Sequence, residues 1–126
     1  MIVLDTHAWI WWLAAPRKLS RPAQRAIDCA DRIGVSTLSV FELAQLVQRR
    51  RVTLDTPLRA WVREALARER VEPLPLTAEV ALDAAQLHFE ANPADRIIYA
   101  TARAADARLV TRDERMRAFD PELTVW

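Results

Sequence analysis

Glycine is almost missing from this chain of 126 residues; the single one is Gly34. Dinucleotide fingerprints and P-loops need several glycines to bring backbone N–H groups against phosphates, so nucleotide binding of either kind is excluded. Cysteine also occurs once, as Cys29, which excludes an intramolecular disulfide. Cys29 falls on the apolar side of a predicted helix and is expected to be a small buried hydrophobe. The longest apolar run near the start, Ala8 to Ala15, is far short of the roughly 18–20 residues of a membrane span. No basic leader precedes an apolar stretch with a small-residue cleavage site. A cytoplasmic location with no membrane partner is the expectation. Lysine is nearly absent too: Lys18 is alone among 18 basic residues, the others being arginine. The planar arginine fork suits bidentate pairing with phosphates and carboxylates. GC-rich coding would produce the same bias, since it enriches both Arg and Ala.

What is present is an ordinary core. Hydrophobic residues make up 52% of the chain, and the formal net charge is +1. The length fits one domain, residues 1–126. Short apolar runs alternate with longer helical patterns, which predicts a parallel sheet flanked by helices, an α/β/α sandwich of about five strands. Strands are expected at Ile2 to Leu4, Ile33 to Ser36, Val71 to Leu76, Arg108 to Thr111 and Leu123 to Trp126. Pro73 and Pro75 place the third at a sheet edge. Helices are expected from Thr6 to Ala14, after a Ser20 cap, from a Thr37 or Ser39 cap to about Arg50, and from Thr56-Pro57. Three more are expected: from a Thr77 cap to about Phe89, from Asn92-Pro93 to Ala105, and from Asp113 to Phe119.

Four acidic residues stand where such a chain leaves its sheet: Asp5, Glu42, Asp95 and Asp113. Asp5 closes the first strand, Glu42 lies one turn into a helix, Asp95 opens another, and Asp113 follows Leu109-Val110-Thr111. In parallel sheets, ligands sit outside the carboxyl ends of the strands. Two unit charges ~5 Å apart repel by roughly 3 kcal/mol at an effective dielectric of about 20. Four gathered carboxylates therefore require compensation, either by protonation or by a bound cation. Hard oxygen donors without thiolate or imidazole favour Mg2+ or Mn2+ over zinc. Such a site orients a phosphate oxygen and supplies a hydroxide nucleophile, which is phosphodiester hydrolysis. Each residue alone has a plainer account. Asp5 suits an N-cap, and Asp95 and Asp113 suit helix first turns. Glu42, between Phe41 and Leu43, has no such account.

Ile2-Val3-Leu4-Asp5-Thr6-His7-Ala8, Ser36-Thr37-Leu38-Ser39-Val40-Phe41-Glu42-Leu43, Asn92 to Ala102 and Leu109-Val110-Thr111-Arg112-Asp113 stand in one order along the chain. In that order the chain resembles the PIN-domain ribonucleases, and within them the VapC toxins of type II (VapBC) toxin–antitoxin pairs. The resemblance spans essentially the whole length and is closest over Asn92 to Ala102. It implies a PIN-like α/β/α fold and an Mg2+- or Mn2+-dependent endoribonuclease that cleaves RNA with metal-activated water. Asp5, Glu42, Asp95 and Asp113 carry over as catalytic and metal-holding residues, with Asp5 and Asp95 as direct ligands. It further implies a homodimer and a VapB-like antitoxin whose tail blocks the acidic pocket. Two other readings stand beside this one. A PIN-fold protein could bind RNA or a partner without catalysis. A receiver-like phospho-acceptor module would share the sheet and the acidic pocket, but would need a lysine after a late strand, where this chain has none.

Among the remaining residues, Thr6 and Thr111 are candidates for supporting the site by hydrogen bonding, with a cap hydroxyl and a strand residue as the alternatives. His7 is a candidate to line the site, and Arg96 to neutralise its charge or hold a phosphate. Trp9 and Trp12 share a helix face that suits core packing. Trp11 points elsewhere on that helix, toward solvent or another chain. Arg49-Arg50-Arg51 suits either a helix C-terminus or RNA phosphates. His88 is expected to be a partly exposed helix residue. Asp55, Asp83 and Asp120 read as solvated charges.

Overall fold

The computed structural model describes all residues 1–126. Five strands form one parallel sheet: β1 (Ile2–Leu4), β2 (Ile33–Ser36), β3 (Val71–Leu74), β4 (Arg108–Val110) and β5 (Thr124–Val125), in the order β3-β2-β1-β4-β5. Val3 stands opposite Gly34 on one side and Leu109 on the other, so β1 is central. The helices are α1 (Thr6–Ala14), α2 (Arg21–Cys29), α3 (Thr37–Gln48), α4 (Leu58–Ala67), α5 (Ala78–Ala85), α6 (Pro93–Ala104) and α7 (Glu114–Phe119).

Alternation along β1 sorts the core into two layers. Ile2 and Leu4 join Ile33, Val35 and Val110 beneath α1, α2 and α4, with Trp9, Ile27, Leu43 and Trp61 as the large neighbours. Val3 and Leu109 face the other way, onto Ile98, Tyr99 and Ala102 of α6 and Met116 of α7. The α/β/α sandwich anticipated from the sequence is thus built by period-2 strands with both faces covered. Gly34 serves the sheet. A Cβ there would lie 2.6 Å from Leu74 Cδ1 and 3.2 Å from Val3 Cγ2, so the neighbouring strands' side chains fill the space it leaves free.

Helix entry follows side-chain oxygen. Asp5, Ser20, Ser36, Thr77, Asn92 and Asp113 each accept an N–H of the first turn. The cap of α3 is Ser36, not Thr37 or Ser39, because the strand ends directly in the helix and its last hydroxyl reaches Leu38 N. Thr37 instead accepts from Leu76 N, which takes the chain beyond Leu74 out of the sheet. The predicted strand to Leu76 is therefore shorter. The last strand is shorter as well, covering Thr124–Val125 only. Helix α5 stops at Ala85 rather than near Phe89. Phe89 leaves the helix axis to stack on Phe119 (centroids 4.7 Å) and meet Tyr99 edge-on (5.7 Å), and His88 lies in the exposed connection. A short 3-10 turn at Pro16–Lys18 joins α1 to α2 and was not anticipated.

Cys29 is exposed, contrary to the sequence expectation. The inward stripe of α2 is set by Ala23 and Ile27, and two residues beyond Ile27 the helix has turned by about 200°. Scarcity of glycine leaves its mark after helices and at strand entries. Arg50, Arg70 and Asp106 adopt left-handed backbone with φ of 57°, 72° and 50°, a conformation that glycine takes at no steric cost.

Candidate metal centre

The order of strands reverses at β1: the chain passes to β2 on one side and later to β4 on the other. A crevice opens outside the carboxyl ends at such a point. Here it is a cleft of about 510 Å³ lined by ten residues, among them Asp5, Glu42, Asp95 and Asp113. Asp5 arrives from the end of β1, Asp113 from the loop after β4, Glu42 from the second turn of α3 and Asp95 from the first turn of α6.

Each carboxylate is held differently. Asp5 Oδ1 accepts Thr6 N at 2.7 Å, capping α1, while Oδ2 accepts the Thr111 hydroxyl at 2.7 Å. Thr111 in turn accepts Asp113 N at 3.0 Å, so one buried threonine ties two of the four positions together. Asp113 Oδ1 accepts Arg115 N (2.9 Å) and Met116 N (3.0 Å), starting α7. Glu42 Oε1 accepts the Thr6 hydroxyl in a short bond, and the same hydroxyl shares a 2.9 Å bond with Ser39. Asp95 is the least served: its own N–H goes to Asn92 Oδ1 (2.9 Å), and only the Asn92 backbone turns toward its carboxylate.

These surroundings disfavour negative charge. Burial pushes Asp5 above its ordinary value, and the Glu42 charge adds to the push against the Thr111 and Thr6 donors. Burial raises Glu42 too, with Asp95 as a repelling neighbour and Thr6 opposing. Asp95 is raised to about 6, first by burial and then by the charges of Asp5 and Asp113. Buried like charges that repel one another are the arrangement a cation relieves.

The carboxylates share the cleft without closing it. No three of the His, Cys, Asp and Glu side chains surround a common point as a ready metal cage. The tight convergence expected from the sequence is therefore looser, with Asp5 and Asp113 turned to cap the helices that follow them. The donor chemistry still fits Mg2+ or Mn2+, which takes one or two protein carboxylates and retains several waters. Glu42 Oε2, Asp113 Oδ2 and the Asp95 carboxylate accept no hydrogen bond from another side chain.

Thr6 and Thr111 serve the site by hydrogen bonding, and Thr111 keeps a strand role as well, its N–H donating to Val125 O at 3.1 Å. His7 lies at the cleft, as do Trp11, Asn92, Arg112 and Glu114, which sequence reasoning did not place there. Trp11 stands four residues after His7 and touches it, with centroids 5.5 Å apart. That helical spacing was the available signal. Arg112 was flanked by two site residues in sequence and could have been read from them. Arg96 is not at the cleft. It lies half-buried in the groove between α5 and α6, beside Ala81, Ala85 and Ile97. One step along a helix from Asp95 turns it about 100° away. Arg49, Arg50 and Arg51 are exposed at the end of α3, Arg49 as its C-cap.

The sequence profile of the PIN domain matches residues 2–121. The chain is 40% identical over 129 residues to the ribonuclease VapC22 of Mycobacterium tuberculosis, covering 99% of this chain and 98% of that one. Among solved structures, a toxin–antitoxin complex from Klebsiella pneumoniae superposes with a TM-score of 0.72 at 19% identity, over 100% of this chain and 97% of that one. VapC20 of Mycobacterium tuberculosis, described as a sarcin-ricin loop cleaving toxin, gives 0.67 at 21% identity over 94% and 95%.

Proposed function

Because the chain belongs to the PIN-domain family and, within it, to the VapC group, we propose that residues 1–126 act as one domain, a toxin endoribonuclease that hydrolyses RNA with a divalent cation. The observation that carries the reading is the cleft at the β1/β4 switch point, where four acidic side chains lie together and three are pushed above their ordinary values. Asp5 and Asp95 would hold Mg2+ or Mn2+, with Asp113 beside them. A bound cation would offset the crowded negative charge and supply Lewis-acid activation of water and phosphate. Glu42, which burial raises above its ordinary value and so makes a stronger base when ionised, would orient the water and accept its proton. Thr6 and Ser39 fix the Glu42 carboxylate, and Thr111 fixes Asp5, so neither reorganises during the reaction.

The VapC relationship and the fold shared with a toxin–antitoxin complex support an antitoxin of the VapB kind as partner. A basic side chain of such a partner, entering the acidic cleft, would block it. Exposed apolar side chains, Phe41 at 59% and Leu82 at 64%, support a homodimer or a partner contact. No helix is long and apolar enough to cross a membrane, and a cytoplasmic location is part of the same reading.

The test is direct. Purified protein should cut RNA with Mg2+ or Mn2+, and EDTA or Asp5→Asn should abolish cutting. Undiminished cleavage under either condition would overturn the assignment.

A further inference from the structure

Of the ten residues lining the acidic cleft, Trp11 is the only hydrophobic one. It is half-exposed, whereas Trp9 of the same helix is fully buried in the core. The Trp11 ring is surrounded by basic groups: Lys18 Nζ and Arg112 Cζ each lie 5.8 Å from its centroid, and His7 packs beside it at 5.5 Å. Both cations stand near the outer limit of about 6 Å for a cation–π contact, so they are weakly held and free to leave for a stronger anion. Arg112 sits between Thr111 and Asp113, both tied into the site. Lys18, the one lysine of the chain, comes from the 3-10 turn after α1. Trp126 closes another side of the ring at 5.8 Å and fixes its position.

An acidic cleft repels a polyanion unless something beside it attracts one. The basic groups around Trp11 supply that attraction, and the ring supplies a flat apolar surface at the same place. Phosphate-binding cations beside an aromatic face are the combination that holds single-stranded nucleic acid. A duplex cannot use it, because its bases are already stacked on one another.

We propose that Trp11 is the stacking platform for one unpaired nucleobase next to the scissile phosphate, with Arg112 and Lys18 moving from the ring to the flanking phosphates as RNA enters. The inference rests on the ribonuclease reading above and adds to it a residue that positions the substrate. The nucleotide on Trp11 must present a base.

The experiment uses a short synthetic RNA spanning a mapped cut, intact or with an abasic nucleotide at each position flanking the cut. Wild-type protein, Trp11→Leu and Trp11→Phe are compared in Mn2+. Trp11→Leu keeps apolar packing against Trp126 without an extended ring, and thermal denaturation verifies its fold. The wild type should lose on the order of tenfold in kcat/KM at one abasic position. Trp11→Leu should lose a similar factor on intact RNA and nothing further on that abasic RNA, while Trp11→Phe recovers most of the loss. Pairing the same RNA into a duplex should remove the difference between variants. Two results would overturn the proposal: equal cleavage of intact RNA by Trp11→Leu and wild type, or independent losses that multiply. A Trp11→Leu variant that cuts normally but escapes an inhibitory partner would assign the ring to protein docking instead. If the wild type cuts no RNA, the ribonuclease reading itself fails, which the abasic series alone does not show.

Discussion

One helix serves two carboxylates and treats them oppositely. At the start of α6, Asp95 faces Asp5 and Asp113, receives almost no donor, and is raised to about 6. One turn further on, Tyr99 sends its hydroxyl to Asp120 at 2.7 Å, and Leu123 N adds a second bond at 3.0 Å. Asp120 is held below its ordinary value, chiefly by Tyr99, while burial and that bond raise Tyr99 to about 12. Around Asp120 the aromatic rings of Phe89, Tyr99 and Phe119 pack together. A carboxylate that holds a fold together is given hydrogen-bond donors. A carboxylate kept for a cation is left wanting them, and the fold tolerates the discomfort because the rest of the sandwich is well packed.

Substitution sharpens this contrast most. Asp95→Asn should lower RNA cleavage by about 10²–10³, the scale of other preorganised electrostatic groups, yet leave the metal-free protein as stable as before or more so. A stability loss comparable to that of Asp120→Asn would break the contrast. Cleavage assays and denaturant titration on the same preparations measure both.

Metal and pH come next. A carboxylate raised in the folded state favours folding while protonated, so the cleft's contribution fades as pH rises through about 6. Asp120, lowered in the folded state, behaves in reverse: its contribution is present above the ordinary carboxylate value and is lost as pH falls through its lowered one. Mn2+ at a hundred times its dissociation constant should add about 2.7 kcal/mol at pH 7.5. That gain should shrink below pH 6, where protons compete for the same oxygens. Thermal melts with and without Mn2+ across this range report it. A gain independent of pH would separate the metal from the raised carboxylates.

At the structural end, Asp120→Asn should cost about 1–2 kcal/mol by weakening charge-assisted bonds to Tyr99 and Leu123, with RNA cleavage retained once the protein is folded. The smallest effect concerns neither carboxylate. Asp106→Gly, at φ 50°, should stabilise by up to about 1 kcal/mol. Chemical denaturation is sensitive enough to detect it, and destabilisation would mean that the Asp106 side chain contributes more than its backbone strain removes.

Much of this was legible beforehand because the signals were local. Strand ends, helix caps and the positions of Asp5, Glu42, Asp95 and Asp113 follow from period, proline and side-chain oxygen within a few residues. The groups that were missed depend on distant partners. Asp120 reads as a solvated charge until Tyr99, 21 positions away, is folded against it. Ser39 looks like a cap until α1 brings Thr6 beside it, 33 positions away. Trp11 and Arg112 acquire a role only once the ends of β1 and β4 meet. Arg96 was misplaced for the converse reason: adjacency to Asp95 in sequence is not adjacency on a helix. Cys29 failed likewise, since the buried stripe of α2 is narrower than its apolar composition suggests.

Strand β1 lies at the middle of the sheet and is made well before its neighbour β4. Asp5 therefore waits, exposed on an incomplete scaffold, until the segment through Asp113 has been translated. A ribosome halted anywhere before that point releases a fragment that cannot assemble the acidic crevice. For a ribonuclease built this way, activity can begin only once that later segment has been made and folded back onto β1.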